Sequence, residues 1–150
     1  MEKTELYETF QKGLTSVNGE SYIAKKADVA ATLTKIFQDK DTHEVALVET
    51  PLLKEIGAVD ALKAAGIKVD TDHFRKNAPD DKGGVTEADY GIANLGSIVQ
   101  MKDDIDCRIV ETVSDVYVGI VKLSKIVDTF DDMIDIMAET KPFPKFAGII

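Results

Sequence analysis

The sequence is poor in residues that staple, anchor or metallate a chain. Among 150 residues there are one cysteine, two histidines and no tryptophan. Cys107 alone allows no internal disulfide and no metal centre built on thiolates. His43 and His73 stand 30 positions apart, which fits no zinc-ligand spacing. No apolar run approaches the roughly 20 residues of a membrane span. The opening MEKTELYETF is charged and lacks the apolar core of a signal peptide. Basic residues are outnumbered 18 to 27, giving a formal net charge of -9, which repels a phosphate backbone. No metal, nucleic-acid or membrane partner is expected, and the expected setting is the cytoplasm. What remains is ordinary globular composition, 44% hydrophobic and 30% charged. The length fits one domain over residues 1–150, burying roughly 70% of its unfolded surface.

Hydrophobic spacing sketches the elements. Leu6, Phe10 and Leu14 recur every fourth residue, the stripe of a first helix, and Ser16–Gly19 breaks it. Val29, Leu33, Ile36 and Phe37 share one face of a second helix over 26–38. Val45–Val48 is a short apolar run between polar flanks, as a buried strand reads. Leu52–Ile56 and Ala58–Ala65 give helical turns closed by Gly66, and Ile67–Val69 a second strand. This alternation predicts βαβ units and a parallel sheet. Asp72–Gly84 reads as the longest loop. Tyr90–Ala93 and Ser97–Met101 read as a hairpin around Asn94-Leu95-Gly96, with Gly96 at positive φ. Val116–Val121 is another strand, and Thr129–Glu139 a helix that Thr129 and Asp132 cap reciprocally. Phe146–Ile150 reads as a last strand. The expected fold is α/β, with helices on both faces of a mainly parallel sheet that includes Val45–Val48, Val116–Val121 and Phe146–Ile150.

Motifs of established chemistry are absent. There is no Walker loop, dinucleotide fingerprint, nucleophile elbow or paired His/Glu metal motif, so no cofactor is expected. Asp103, Asp104 and Asp106 lack the glycine and distant glutamate of a calcium loop and read as a solvated loop. Cys107, beside them, has its thiolate disfavoured by their charge. Gly83-Gly84 offers backbone N–H groups that can approach an anion, although a loop needing freedom explains it as simply. The informative stretch is GVTEADYGIANLGSIV from Gly84 to Val99. There Thr86 can cap the following turn, and Asp89 can accept its amides. A Thr-x-x-Asp pair beside a hairpin suits a cleft at strand ends.

That stretch resembles the signature of the LUD domain family, of the lactate-utilisation protein C type. Members show a strand, Thr-x-Ala-Asp, Ala- or Gly-Ile-Ala, and then Gly followed by Thr or Ser and an apolar strand. Thr86, Ala88, Asp89, Ile92, Ala93, Gly96 and Ser97 match in order. Val116–Thr129 also resembles the family's strand into its next helix. Two departures stand out. Asn94 and Leu95 occupy positions where the family has Glu-Thr or Glu-Ser. The family's Gly-Pro-Ser loop, Ala-Asp-Ile-Glu helix start and His-Gly-Pro region have no counterpart before Ile150, as in a shortened relative or a piece of a longer chain.

The resemblance implies a fold similar to that of ribose-phosphate isomerase and the CoA-transferases, with small anions bound at the carboxyl ends of strands. It implies a link to L-lactate oxidation beside iron–sulfur partner subunits. The expected role is an accessory protein of organic-acid utilisation that binds an oxidoreductase subunit or a small anionic ligand. Gly84, Thr86, Asp89, Asn94, Gly96 and Ser97 frame the candidate ligand site. The alternative is a stand-alone enzyme acting on a small phosphorylated or CoA-linked substrate, against which Asn94 in place of a carboxylate counts. A last strand with an uncovered edge predicts a homo-oligomer.

Overall fold

The computed structural model describes residues 2–150. Its helices are α1 (Lys3–Thr15), α2 (Val29–Asp39), α3 (Pro51–Glu55), α4 (Ala58–Ala64), α5 (Phe74–Asn77), α6 (Asp106–Val113) and α7 (Phe130–Glu139). The strands are β1 (Glu44–Leu47), β2 (Lys68–Asp70), β3 (Gly83–Glu87) and β4 (Tyr90–Ile92). They continue with β5 (Ser97–Met101), β6 (Val116–Ile120), β7 (Ile126–Val127) and β8 (Ala147–Ile149). The chain divides into two compact units, one formed by Ile23–Glu87 with Asp104–Ile120. The other takes the segment up to Tyr22, Ala88–Asp103 and everything from Val121 on.

In the first unit the strands run in the order β2-β1-β3-β6, every pair parallel. Side chains alternate across a strand, so consecutive apolar residues of β1 feed two cores. Val45 and Leu47 join Leu33 and Phe37 of α2, Leu53 of α3 and Leu62 of α4. Ala46 and Val48 face the other way, against Phe74 and Ala78 at α5 and Val110 of α6. The result is three layers: helices, a parallel sheet, helices. Local signals start its helices where the periodicity places them. Pro51 stands at the first position of α3, and the Thr50 hydroxyl accepts from the Leu53 N–H at 3.2 Å. Gly66, at φ 82°, ends the turn after α4 as expected.

The second unit has the order β7-β4-β5-β8, with β4–β7 parallel and the other two pairs antiparallel. It too is layered. Leu6 and Phe10 of α1 pack with Ala93 and Ile126, whereas Met133 of α7 packs with Ile92 and Val99. The reciprocal cap of α7 is present: Thr129 Oγ1 accepts from Asp132 N–H at 3.1 Å, and Asp132 accepts from Thr129 N–H. Among the described residues no helix is long and apolar enough to cross a membrane.

Four expectations change. Phe146–Ile150 contributes β8, which runs antiparallel to β5 in the second sheet and takes no part in the parallel one. An apolar run carries the signal for a strand but none for its partner. The region 72–84 is not one loop, because α5 interrupts it and Gly83 and Gly84 already belong to β3. The acidic stretch ends at Asp104, since Asp106 opens α6, a helix hidden by polar residues at its entrance. The hairpin turn has four residues, Ala93–Gly96, because the Leu95 and Gly96 N–H groups turn back to the Ile92 carbonyl.

Gly84 is a strand residue by necessity. A Cβ there would lie 2.7 Å from Val110 Cγ1 and 2.8 Å from Ser114 Cβ. Gly84→Ala must push α6 off the sheet, and it is expected to cost about 1–3 kcal/mol in urea unfolding. An unchanged midpoint would show that α6 is free to back away.

Candidate functional site

Open parallel sheets bind ligands beyond the carboxyl ends of their strands, where neighbouring connections diverge. Here that point lies between β1 and β3. From β1 the chain passes through α3 and α4 to β2 on one side, while β3 pairs with the other side of β1. Glu49 follows β1, and Glu87 is the last residue of β3. One step back on β3 is Thr86, fully buried, whose hydroxyl shares a hydrogen bond with the Tyr117 hydroxyl. Their pairing follows from register. Gly84 sits opposite Tyr117 and Thr86 opposite Gly119, so the Tyr117 ring leans along the sheet to reach Thr86. Val116 and Val118 pack on the α2 face, which leaves Tyr117 on the α6 face of the same strand.

Sequence reasoning placed Thr86 as the cap of a turn; it is instead the penultimate residue of a buried strand, with a strand neighbour for a partner. Tyr117 was missed altogether. Its signal is a phenol at the alternate position of Val-Tyr-Val-Gly-Ile, where an apolar residue would suffice.

The six candidate residues fall into two groups. Gly84 and Thr86 belong to the parallel-sheet unit; Asp89, Asn94, Gly96 and Ser97 belong to the other. Asp89 lies just before β4 and acts as a brace on β5. Its Oδ2 accepts the Met101 N–H at 2.7 Å, its Oδ1 takes the Lys102 ammonium at 3.0 Å, and its own N–H goes to Val99. The expectation that Asp89 accepts backbone amides is met, by a strand partner rather than by its own turn. Asn94 is exposed, and its N–H donates to the Asp128 carbonyl. Ser97 opens β5 opposite Ile92.

Gly96 has φ 64°, as expected, and it also touches α1 backbone to backbone. A Cβ on Gly13 would stand 2.8 Å from the Gly96 nitrogen. Conformation and packing both account for glycine here without a ligand. The acidic stretch is also divided in its duties. Asp103 accepts the Lys145 N–H at 2.6 Å, and Asp104 accepts the Asp106 N–H at 2.8 Å. Burial, followed by the neighbouring Asp104 charge, raises the Asp106 pKa above its ordinary value. No group of three or more metal-ligating side chains is found among the described residues.

Comparisons with known proteins agree with this architecture. The family model described as LUD domain matches residues 7–147. A solved structure of a DUF162 family protein from Deinococcus radiodurans superposes with a TM-score of 0.74 at 13% identity, over 100% of this chain and 88% of that one. No curated protein matches the sequence.

Asp89→Ala leaves the Met101 N–H without its acceptor and the Lys102 ammonium without its partner. It is expected to lower unfolding free energy by about 1–3 kcal/mol, with or without any ligand. Urea titration of both variants reads this directly. Full stability in the variant would mean that water replaces the carboxylate and that Asp89 is no brace.

Proposed function

The chain belongs to the LUD domain family, which is associated with lactate utilisation, and from that premise we propose that it is a cytoplasmic accessory protein of organic-acid utilisation. It binds a small carboxylate at the carboxyl ends of β3 and β6 and presents it, or itself, to an iron–sulfur oxidoreductase subunit. The observation that carries this reading is the Thr86–Tyr117 hydroxyl pair at the end of the parallel sheet. A pair of neutral hydroxyls at a strand end is polar without being charged, which suits a small acid carrying a hydroxyl or carbonyl beside its carboxylate, as lactate and pyruvate do. Glu49 and Glu87 at the adjoining strand ends repel a multiply charged phosphate ester or CoA more strongly than a singly charged organic acid, which weighs against the stand-alone enzyme. The resemblance to glycine-lined anion sites supplies no backbone cradle in this chain, because the Gly84 backbone is engaged in the sheet. Self-association belongs to the same reading, with β8 as the open edge of the second sheet. Light scattering over a wide concentration range is expected to show more than a monomer.

Thermal shifts with lactate, pyruvate, a sugar phosphate and CoA separate the two readings. At a hundredfold excess over Kd, binding adds about 2.7 kcal/mol of stability. A shift with the two small acids alone is expected, and Tyr117→Phe is expected to weaken it about tenfold by removing one of the two hydroxyls. A shift with CoA or sugar phosphate, and none with lactate or pyruvate, would replace the accessory role with the enzyme.

A further inference from the structure

Away from those strand ends, the parallel-sheet unit holds two further carboxyl groups, Asp81 buried and Asp70 half-buried. Asp81 lies in the segment joining α5 to β3 and is only 2% exposed. Its backbone N–H goes to the Asn77 carbonyl, which fixes it against the end of α5. Its Oδ2 is buried and finds no donor among the described residues, and the same holds for Oδ2 of Asp70, the last residue of β2. Asp70 has the Lys68 ammonium 3.5 Å away, an ion pair that leaves the oxygen without a hydrogen bond. Two buried carboxyl oxygens that each lack a donor are costly unless one of the carboxyl groups supplies it. A carboxylate supplies one by taking up a proton.

We propose that Asp81 is a protonated carboxylic acid that donates its O–H to the Asp70 carboxylate, and that loss of this proton is a pH-sensitive latch on the β2–α5–β3 crossover. Lys68 holds the charge on Asp70, and Asp81 holds the proton. The charged groups acting on Asp81 are Asp70 and Lys68 of β2 and Glu44 of β1; Arg75 and Lys76 of α5 are exposed to solvent. Burial, then the hydrogen bond to Asp70 and its charge, raise the Asp81 pKa from 3.8 to about 7, against the opposing pull of Lys68. The sign follows. The folded state binds this proton more tightly than the unfolded chain, so the stabilisation is complete below about pH 4 and is lost as pH rises through about 7. Above that, two carboxylates face each other in a buried site, and the crossover that carries Phe74 and Ala78 into the core loosens.

Thermal unfolding across pH 5 to 8.5 tests the latch. Wild type is expected to lose several degrees of Tm as pH rises through 7. Asp81→Asn, whose amide donates at every pH, is expected to abolish that loss and to match or exceed wild type at pH 8. An undiminished loss in Asp81→Asn overturns the proposal. Carbon NMR of the wild-type aspartate carboxyl groups keeps it decidable should the variant not fold. One aspartate titrating near 7, its midpoint falling in Asp70→Asn, supports the shared proton, and no aspartate titrating above pH 6 removes it. These outcomes are independent of whether any organic acid binds.

Discussion

On the parallel sheet, α6 closes on β3 at Gly84, through Val110 and Ser114. Only a residue without a side chain permits that approach. Much follows from it. Ser114 leads after a single residue into β6, so the position of α6 on β3 fixes where β6 can begin. The register that results sets Tyr117 opposite Gly84 and within reach of the Thr86 hydroxyl. The hydroxyl pair at the end of the sheet is thus a consequence of a glycine two residues earlier. Gly83 serves the opposite face in the same way, where Phe37 of α2 and Val45 fill the space.

The second unit solves a different problem with similar means. Its sheet is small, and β7 contributes only two residues, so loops and side chains must replace strand pairing. Ala93 and Asn94 donate to the carbonyls of Val127 and Asp128, carrying the β4–β7 ladder into the turn. Asp89 does the same on the opposite side by binding the Met101 N–H. Signature residues that a sequence reader assigns to a ligand here hold backbone together. A structural duty does not exclude a ligand, but it explains these residue types without one.

Charge is handled by local pairing. The chain carries a formal charge of -9, and several of its carboxylates are occupied by backbone donors: Asp89, Asp103, Asp104 and Asp132 each accept an N–H. A carboxylate that accepts an amide stays charged at little cost. Asp81 Oδ2 is buried with no donor among the described residues, so a proton is the partner that would satisfy it.

The sequence by itself determined the elements that local chemistry controls. The stripe of Leu6 and Phe10, the apolar run Val45–Val48, the Thr129–Asp132 cap and the positive φ of Gly96 all rest on neighbours within a few residues, and all are present. The α/β class follows from their alternation, and the family from a stretch of residues in order. Partnership was decided by tertiary structure. An apolar strand is equally apolar in either sheet, so nothing in Phe146–Ile150 told that β8 would join β5. The segment Asp103–Asp106 concealed α6, because the packing of Cys107 and Val110 outweighs a polar entrance. Thr86 met Tyr117 across 31 residues of chain, and Asp81 became buried, through register and packing that no periodicity records. The physical reason is range: caps and turns are fixed by a handful of adjacent atoms, whereas pairing is a choice among distant surfaces made only when the whole core closes.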